Sequence, residues 1–302
     1  MTNSVERKKG MKYYLSILGL LIVTVIWGGG FVASDIALNT MTPFQIMTIR
    51  FFFGAVLMSL IDVKALKEMK KHELKAGFFM GLALFIGFAF QTVGLMYTTP
   101  SKNAFLTALN VVIVPFIAAI FLKKKIDKRG MIGAVMAVVG VGLLSLNADF
   151  TLGFGDVLTI ICAVGFAFQI FLTGMFVKSC NGAVLNAVQM STAFLLSLIS
   201  MLCLGQGKIA ITPSGIWSVL YLGLVSTTLC FFLQTLCQKW VEETKAAIIL
   251  SMESVFGTIF SILILHEVLT VRMIIGCAII LGGVVLSSIE DTVDNVELGL
   301  EV

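Results

Sequence analysis

The chain has 302 residues, of which 58% are apolar and only 13% charged, with a formal net charge of +4. Mean hydropathy is +1.03. A soluble domain carries about twice that share of charge, so the composition excludes an ordinary soluble globular protein and the unit to count is the membrane span. The small positive excess sits in loops, where it reports orientation and not nucleic-acid binding.

Hydropathy predicts about ten spans, near 13–36, 43–61, 75–97, 101–122, 130–147, 156–178, 183–204, 215–238, 246–265 and 271–288. The first follows a basic start (Arg7, Lys8, Lys9, Lys12), as a signal peptide would. Its apolar run from Tyr13 to Ala37 is too long for a signal core of about 7–15 residues and lacks a small-x-small cleavage site, so it is expected to stay as a helix. Residues 62–74 form a charged strip expected at the interface, and Pro115 is expected to kink the fourth span. The acidic tail after Glu290 has no apolar period and is expected to lack structure. Six cysteines (Cys162, Cys180, Cys203, Cys230, Cys237, Cys277) show no CxxC spacing, so neither disulfides nor metal ligands are expected.

With the N-terminus inside, the inner segments hold seventeen Lys and Arg and the outer ones three (Lys102, Lys208, Arg272), with Arg50 inside a span. That imbalance predicts both termini cytoplasmic.

Sliding the chain by 143 residues produces a gap-free match from about 91 to 145. Gln91–Thr92 falls on Gln234–Thr235, Lys102 on Lys245, Arg129 on Arg272, Gly133 on Gly276 and Gly140 on Gly283. Chance likeness between two apolar runs matches Leu, Ile and Val; it does not so readily match Gln, Lys, Arg and Gly. Each half holds five spans, and five is odd, so the second half is expected to insert upside down. The fold class is thus an all-α membrane protein of about ten helices in two inverted five-helix repeats, with a site near the midplane between them.

The stretch 245–267 is apolar but for Glu253. A charge at that depth costs about 2.5–3.5 kcal/mol on insertion scales, tolerable where the carboxylate faces a cavity or a partner. Gly257 and Ser261 on the same face leave room for a close helix or a pathway. The 143-residue shift lays Asn110 on Glu253, so two polar side chains are expected to converge on one cavity.

These residues resemble the drug/metabolite transporter superfamily in its ten-helix EamA-type branch. The resemblance covers about 13–288 and is carried by Trp27–Gly28 with Phe31, Arg50 in IRFFFGA, residues 91–115, residues 233–257, and His266–Glu267. The order, spacing and duplication of these motifs carry it, since each alone is weak. One departure is Ser254, where many relatives place Pro after the Glu. The resemblance divides the chain into a tail at 1–12, a first repeat at 13–147, a linker at 148–155, a second repeat at 156–288 and an acidic cytoplasmic tail at 289–302. It implies a carrier of small organic metabolites, often amino acids or their relatives, commonly exported.

The candidate substrate-binding residues are Trp27, Gln91, Asn110, Gln234 and Glu253, with Glu253 also the candidate for proton coupling. Arg50 either holds a substrate anion bidentately or locks the bundle by pairing with carbonyls. Gln91 and Gln234 are either inter-helix glue or cavity lining. Trp27 beside Gly28–Gly29–Gly30 is an aromatic wall or a point of close packing. His266 and Glu267, at the outer end of the ninth span, read first as an interfacial boundary; Asp35 and Asp156, near outer helix ends, read first as solvated caps and second as groups that take up a proton; His72 reads as solvated in the cytoplasmic strip.

No cofactor, metal or catalytic residue is expected, and no phosphate loop supplies a nucleotide engine. The expected partners are a small-molecule substrate, the lipid bilayer and a proton as candidate coupling ion, with no nucleic acid. The GxxxG at Gly77–Gly81 serves either a homodimer or packing within a monomer. The expected function is a secondary active or facilitative carrier working by alternating access. The alternative is a multi-span membrane enzyme or scaffold acting on a lipid-linked substrate, which would need intramembrane acids and histidines clustered at one interface.

Overall fold

Three of the chain's four prolines follow a threonine, and each Thr–Pro step starts a helix. Thr42, Thr99 and Thr212 are N-caps whose hydroxyls accept from Gln45, Lys102 and Gly215 N–H, while Pro43, Pro100 and Pro213 occupy the first turn. Proline fits there because its missing N–H has no intrahelical partner in any case. The computed structural model describes residues 2–123, 128–145, 153–209, 212–268 and 270–288. The acidic tail and most of the linker lie outside them.

The helices in order are α1 (Thr2–Leu38), α2 (Pro43–Ile61), α3 (Val63–Lys67), α4 (Lys71–Leu95), α5 (Pro100–Thr107), α6 (Asn110–Leu122) and α7 (Lys128–Ser145). The second half continues with α8 (Phe154–Phe176), α9 (Gly182–Cys203), α10 (Pro213–Leu220), a π-helical segment (Tyr221–Leu229), α11 (Cys230–Gln238), α12 (Glu243–Leu250), α13 (Glu253–Leu265) and α14 (Val271–Ser288). Among the described residues, eight continuous or paired helices are long and apolar enough to cross a membrane. Shorter apolar stretches lie at Met131–Gly140 and Ile274–Gly283, within α7 and α14. These ten correspond to the ten expected spans.

The repeat holds to the residue over its second part. A shift of 143 carries the bounds of α5, α6 and α7 onto those of α12, α13 and α14. It also carries Lys123 (φ 52°) onto His266 (φ 57°), each a left-handed residue closing its helix. α7 and α14 pack face to face, and their contact is reciprocal. A Cβ on Gly140 would lie 2.7 Å from the Gly276 carbonyl oxygen, and one on Gly283 would lie 2.8 Å from that of Gly133. Since 140 maps to 283 and 133 to 276, the two contacts are one contact seen twice, as a two-fold relation between halves requires.

The structure adds detail at three places. The charged strip is not one element: α3 is capped by Asp62, whose carboxylate accepts from Ala65 N–H at 2.9 Å, and α4 already starts at Lys71. α6 runs through Pro115, and the fourth span is interrupted earlier, at Ala108–Leu109. There Val111 and Val112 N–H donate to Ala108 and Leu109 carbonyls, three residues back, so one turn is tightened. The ninth span tightens equivalently at Ser251–Met252, where the residue after Glu253 is Ser254 and not a proline, since Ser254 and Val255 donate to Ser251 and Met252. The π-helical segment in span eight was not legible in the sequence.

Gly77 and Gly81 pack within the chain. Cβ atoms there would meet Val188 Cβ and the Gln189 carbonyl oxygen, each at 2.6 Å, so the GxxxG face is filled by α9. The described cysteines are all free thiols.

Candidate functional site

The tightened turns place Asn110 and Glu253 at the first positions of α6 and α13, and both side chains face one cavity at the centre of the bundle. It has about 620 Å³ of unfilled space, part of it continuous with solvent. Five of the six sequence candidates line it: Trp27, Arg50, Gln91, Asn110 and Glu253. Gln234 does not; it lies behind Gln169, a cavity residue to whose Oε1 it donates at 3.2 Å.

Glu253 is 6% exposed, and no hydrogen bond or ion pair holds it among the described residues. Asn110 is 3% exposed, and its Oδ1 has no hydrogen-bond partner there either. Polar groups buried without partners are costly, and the cost is recovered when a solute supplies the missing contacts.

Arg50 combines both roles open to it. Its Nε donates to Thr227 Oγ1 at 2.8 Å, which ties α2 to the π-helical segment. Its guanidinium carbon sits 4.0 Å from the Phe88 ring centroid, a cation–π contact. No carboxylate pairs with it among the described residues, so the rest of its donor fork faces the cavity.

Aromatic rings build the wall. Trp27 packs on Phe231 (5.2 Å between centroids), and Phe88 packs on Phe166 (4.9 Å) and Phe231 (6.2 Å). Trp27 Nε1 donates to the Ser226 carbonyl at 2.8 Å, and Tyr221 O–H donates to the Ile26 carbonyl at 2.7 Å. α1 therefore grips the π-helical segment, whose wider turn leaves carbonyls available. The glycines beside Trp27 permit the approach: a Cβ on Gly29 would lie 2.8 Å from the Tyr221 hydroxyl and one on Gly30 3.0 Å from Ser226 Oγ, while Gly28 lets α13 come equally close, its Cβ position being 2.7 Å from Gly257 N.

Sequence reasoning missed Gln169, Asn103, Ser34 and the Phe residues of the wall. Gln169 carried the same signal as Gln91, an amide inside an apolar span, but the 143-residue shift hides it. α1 and α8 align at a shift of 135 instead, which lays Gly30–Phe31 on Gly165–Phe166 and Ser34 on Gln169.

Asp156 departs from the expectation of a solvated cap, being 2% exposed. It accepts from Gly153 N–H at 2.7 Å, Thr98 Oγ1 at 3.1 Å and Lys102 Nζ at 2.6 Å. Glu267 accepts from Ser101 Oγ. His72, Glu73 and Cys180 come close enough to hold a metal, but the Glu73 oxygens accept from Lys70 and Asn181 N–H, each at 3.0 Å, and so cap helices.

An all-helical, multi-span bundle of two repeats around a polar central cavity is the architecture of a membrane transporter. The EamA-like transporter family matches twice, over residues 14–146 and 153–289, and the chain belongs to that family. It is 34% identical over 281 residues to an uncharacterized transporter of Archaeoglobus fulgidus, covering 93% of this chain and 88% of that one. It is 26% identical over 281 residues to the uncharacterized transporter YoaV of Bacillus subtilis, covering 90% and 96%. A solved structure titled only as the crystal structure of a protein shares the fold with a TM-score of 0.73 at 17% identity, over 95% of this chain and 99% of that one.

Proposed function

We propose that this transporter is a secondary active or facilitative carrier of amino-acid-like solutes, working by alternating access and exporting from the cell. The observation that carries the reading is that one cation, Arg50, and one acid, Glu253, face a single cavity walled by aromatic rings. A zwitterion supplies a carboxylate for the first and an ammonium for the second. Trp27, Gln91 and Asn110 orient it, and Gln234 acts through Gln169. Glu253 is also the candidate proton carrier, since an intramembrane acid with no fixed partner is the usual place for coupling.

The distribution of Lys and Arg supports an inner-membrane orientation with both termini cytoplasmic. Lys102 then marks the outer end of the bundle and Lys245 the cytoplasmic end. The chain divides into repeats at 13–147 and 156–288 around a linker at 148–155, flanked by tails at 1–12 and 289–302. No catalytic role is assigned to any residue.

The test is counterflow in liposomes preloaded with a mixed amino-acid pool, comparing the natural chain with Glu253→Gln. Saturable exchange that the variant loses supports the reading. Exchange retained in full by Glu253→Gln removes Glu253 from the site, and flux indifferent to an imposed pH gradient removes the proton.

A further inference from the structure

The cavity is lopsided with respect to the repeat. Asn110 and Glu253 both line it, as do Phe88 and Phe231. Further along the same helices the mates part company. Gln91, Thr92 and Leu95 line the cavity, whereas Gln234, Thr235 and Gln238, each 143 residues on, do not. Asn103 lines it and its mate Ala246 does not. Leu250 is an exception, lining the cavity where its mate Thr107 does not. The cavity thus extends towards the Lys102 end and stops short of the Lys245 end.

The withdrawn residues are not an apolar plug. Gln189 donates to Asn186 Oδ1, which also accepts from Thr235 Oγ1 at 2.9 Å, and Gln234 is bonded to Gln169. Gln238 Nε2 donates to the Ile170 carbonyl at 3.0 Å, while its Oε1 is buried without a hydrogen-bond partner. Amides buried in a bundle that lipid surrounds are unfavourable beside hydrocarbon side chains, and packing alone would be better served by leucine. Their presence is accounted for if they meet solute in another state.

We propose that Gln234, Thr235 and Gln238 form the solute-facing lining of the opposite state, replacing Gln91, Thr92 and Leu95 as the bundle alternates. The proposal rests on the carrier reading. In an inverted repeat each half can adopt the other's conformation, which reopens the same central site to the other side. Asn110 and Glu253 stay in the lining throughout, and the tightened turns just before them are the joints that bend.

The contacts that must yield are visible at both ends, and they involve repeat mates. At one end Lys102 pairs with Asp156 at 2.6 Å, holding α5 of the first half to α8 of the second. At the other end Lys245, the mate of Lys102, lies over the Tyr13 ring at 5.8 Å, and Lys12 lies over Trp240 at 4.7 Å, holding α12 and the turn after α11 to α1. The cavity reaches towards the Lys102 end but the ion pair there is still formed, and the Lys245 end carries cation–π contacts, so each side opens fully only when its own latch yields.

The test uses the full chain with Cys180 and Cys203 replaced, carrying Leu95→Cys or Gln238→Cys, and a membrane-impermeant thiol reagent applied to either face. Leu95→Cys should react from the outer face and Gln238→Cys from the cytoplasmic face. Asp156→Asn should raise the first rate and lower the second by about fivefold, the size expected for loss of a partly exposed ion pair. Tyr13→Ala should do the reverse. Thr235→Cys is a second reporter should Gln238→Cys fold poorly. Second-half reporters that stay unreactive from the cytoplasmic face in every variant, or rates that move together at both sites, overturn the proposal. Counterflow separates the two readings: reciprocal labelling without amino-acid exchange sinks the solute assignment alone, and exchange with inert second-half reporters sinks the alternate lining alone.

Discussion

Asn110 and Glu253 occupy one position in two halves of the molecule: each is the first residue of a helix that resumes after a tightened turn, and each faces the central cavity. They differ in charge, so the cavity is symmetric in shape where these helices resume but not in electrostatics. A solute between them meets a neutral amide from one half and an acid from the other.

Glu253→Gln keeps the shape of the side chain and removes its charge. If Glu253 meets the ammonium of the solute, the lost charge-assisted bond should weaken apparent affinity about tenfold or more. Thermal stability should stay within about 0.5 kcal/mol of the natural chain or rise, since the buried charge is removed. Competition by amino acids against their carboxylate-only analogues in counterflow reads the difference. Loss of preference for the amine in the variant is the expected outcome.

Arg50→Lys keeps the charge and removes the planar fork. The Nε bond to Thr227 disappears and a bidentate grip on a carboxylate becomes impossible. Exchange of solutes bearing a carboxylate should fall about tenfold in apparent affinity, while the corresponding amines lose little. Equal losses for both classes would make Arg50 a structural residue only.

Much of the architecture was legible in the sequence, and the reason is physical. Span lengths follow from bilayer thickness, and matched glycines such as Gly140 and Gly283 sit where helix–helix contact tolerates few alternatives. The cavity was legible only where a polar residue interrupted an apolar run, as Glu253 and Gln91 do. Phe88 and Phe231 gave no signal, because a phenylalanine that faces a cavity and one that faces lipid look alike in sequence. Asp156 was misjudged as solvated because its partners, Thr98 and Lys102, come from a different half of the molecule. The π-helical segment at Tyr221–Leu229 makes its contact through the Ser226 carbonyl, which Trp27 grips from nearly two hundred residues away.

The reciprocal contact between α7 and α14 separates packing from propensity. Gly140→Ala places a methyl 2.7 Å from the Gly276 carbonyl oxygen and should cost about 1–3 kcal/mol, as overpacking against backbone does. Gly142→Ala, two residues on, meets nothing within 4 Å and should be neutral or stabilising by about 0.5–1 kcal/mol through helix propensity. Thermal melting in detergent compares the two, and similar values would argue against the tight contact.

Exchanging the two central residues tests whether they share one site. Glu253→Asn alone removes the acid and should abolish most exchange. Adding Asn110→Glu returns an acid to the cavity from the opposite half, at the position related by the repeat. If the two side chains reach the same solute group, the double variant should recover a measurable part of the lost exchange, with apparent affinity within about tenfold of the natural chain. Recovery would be incomplete, because Gln91 lines the cavity with Asn110 whereas its repeat mate Gln234 does not line it with Glu253. A double variant as inactive as Glu253→Asn, yet folded by melting, would mean that Asn110 and Glu253 meet different parts of the solute and that their equivalence is architectural alone.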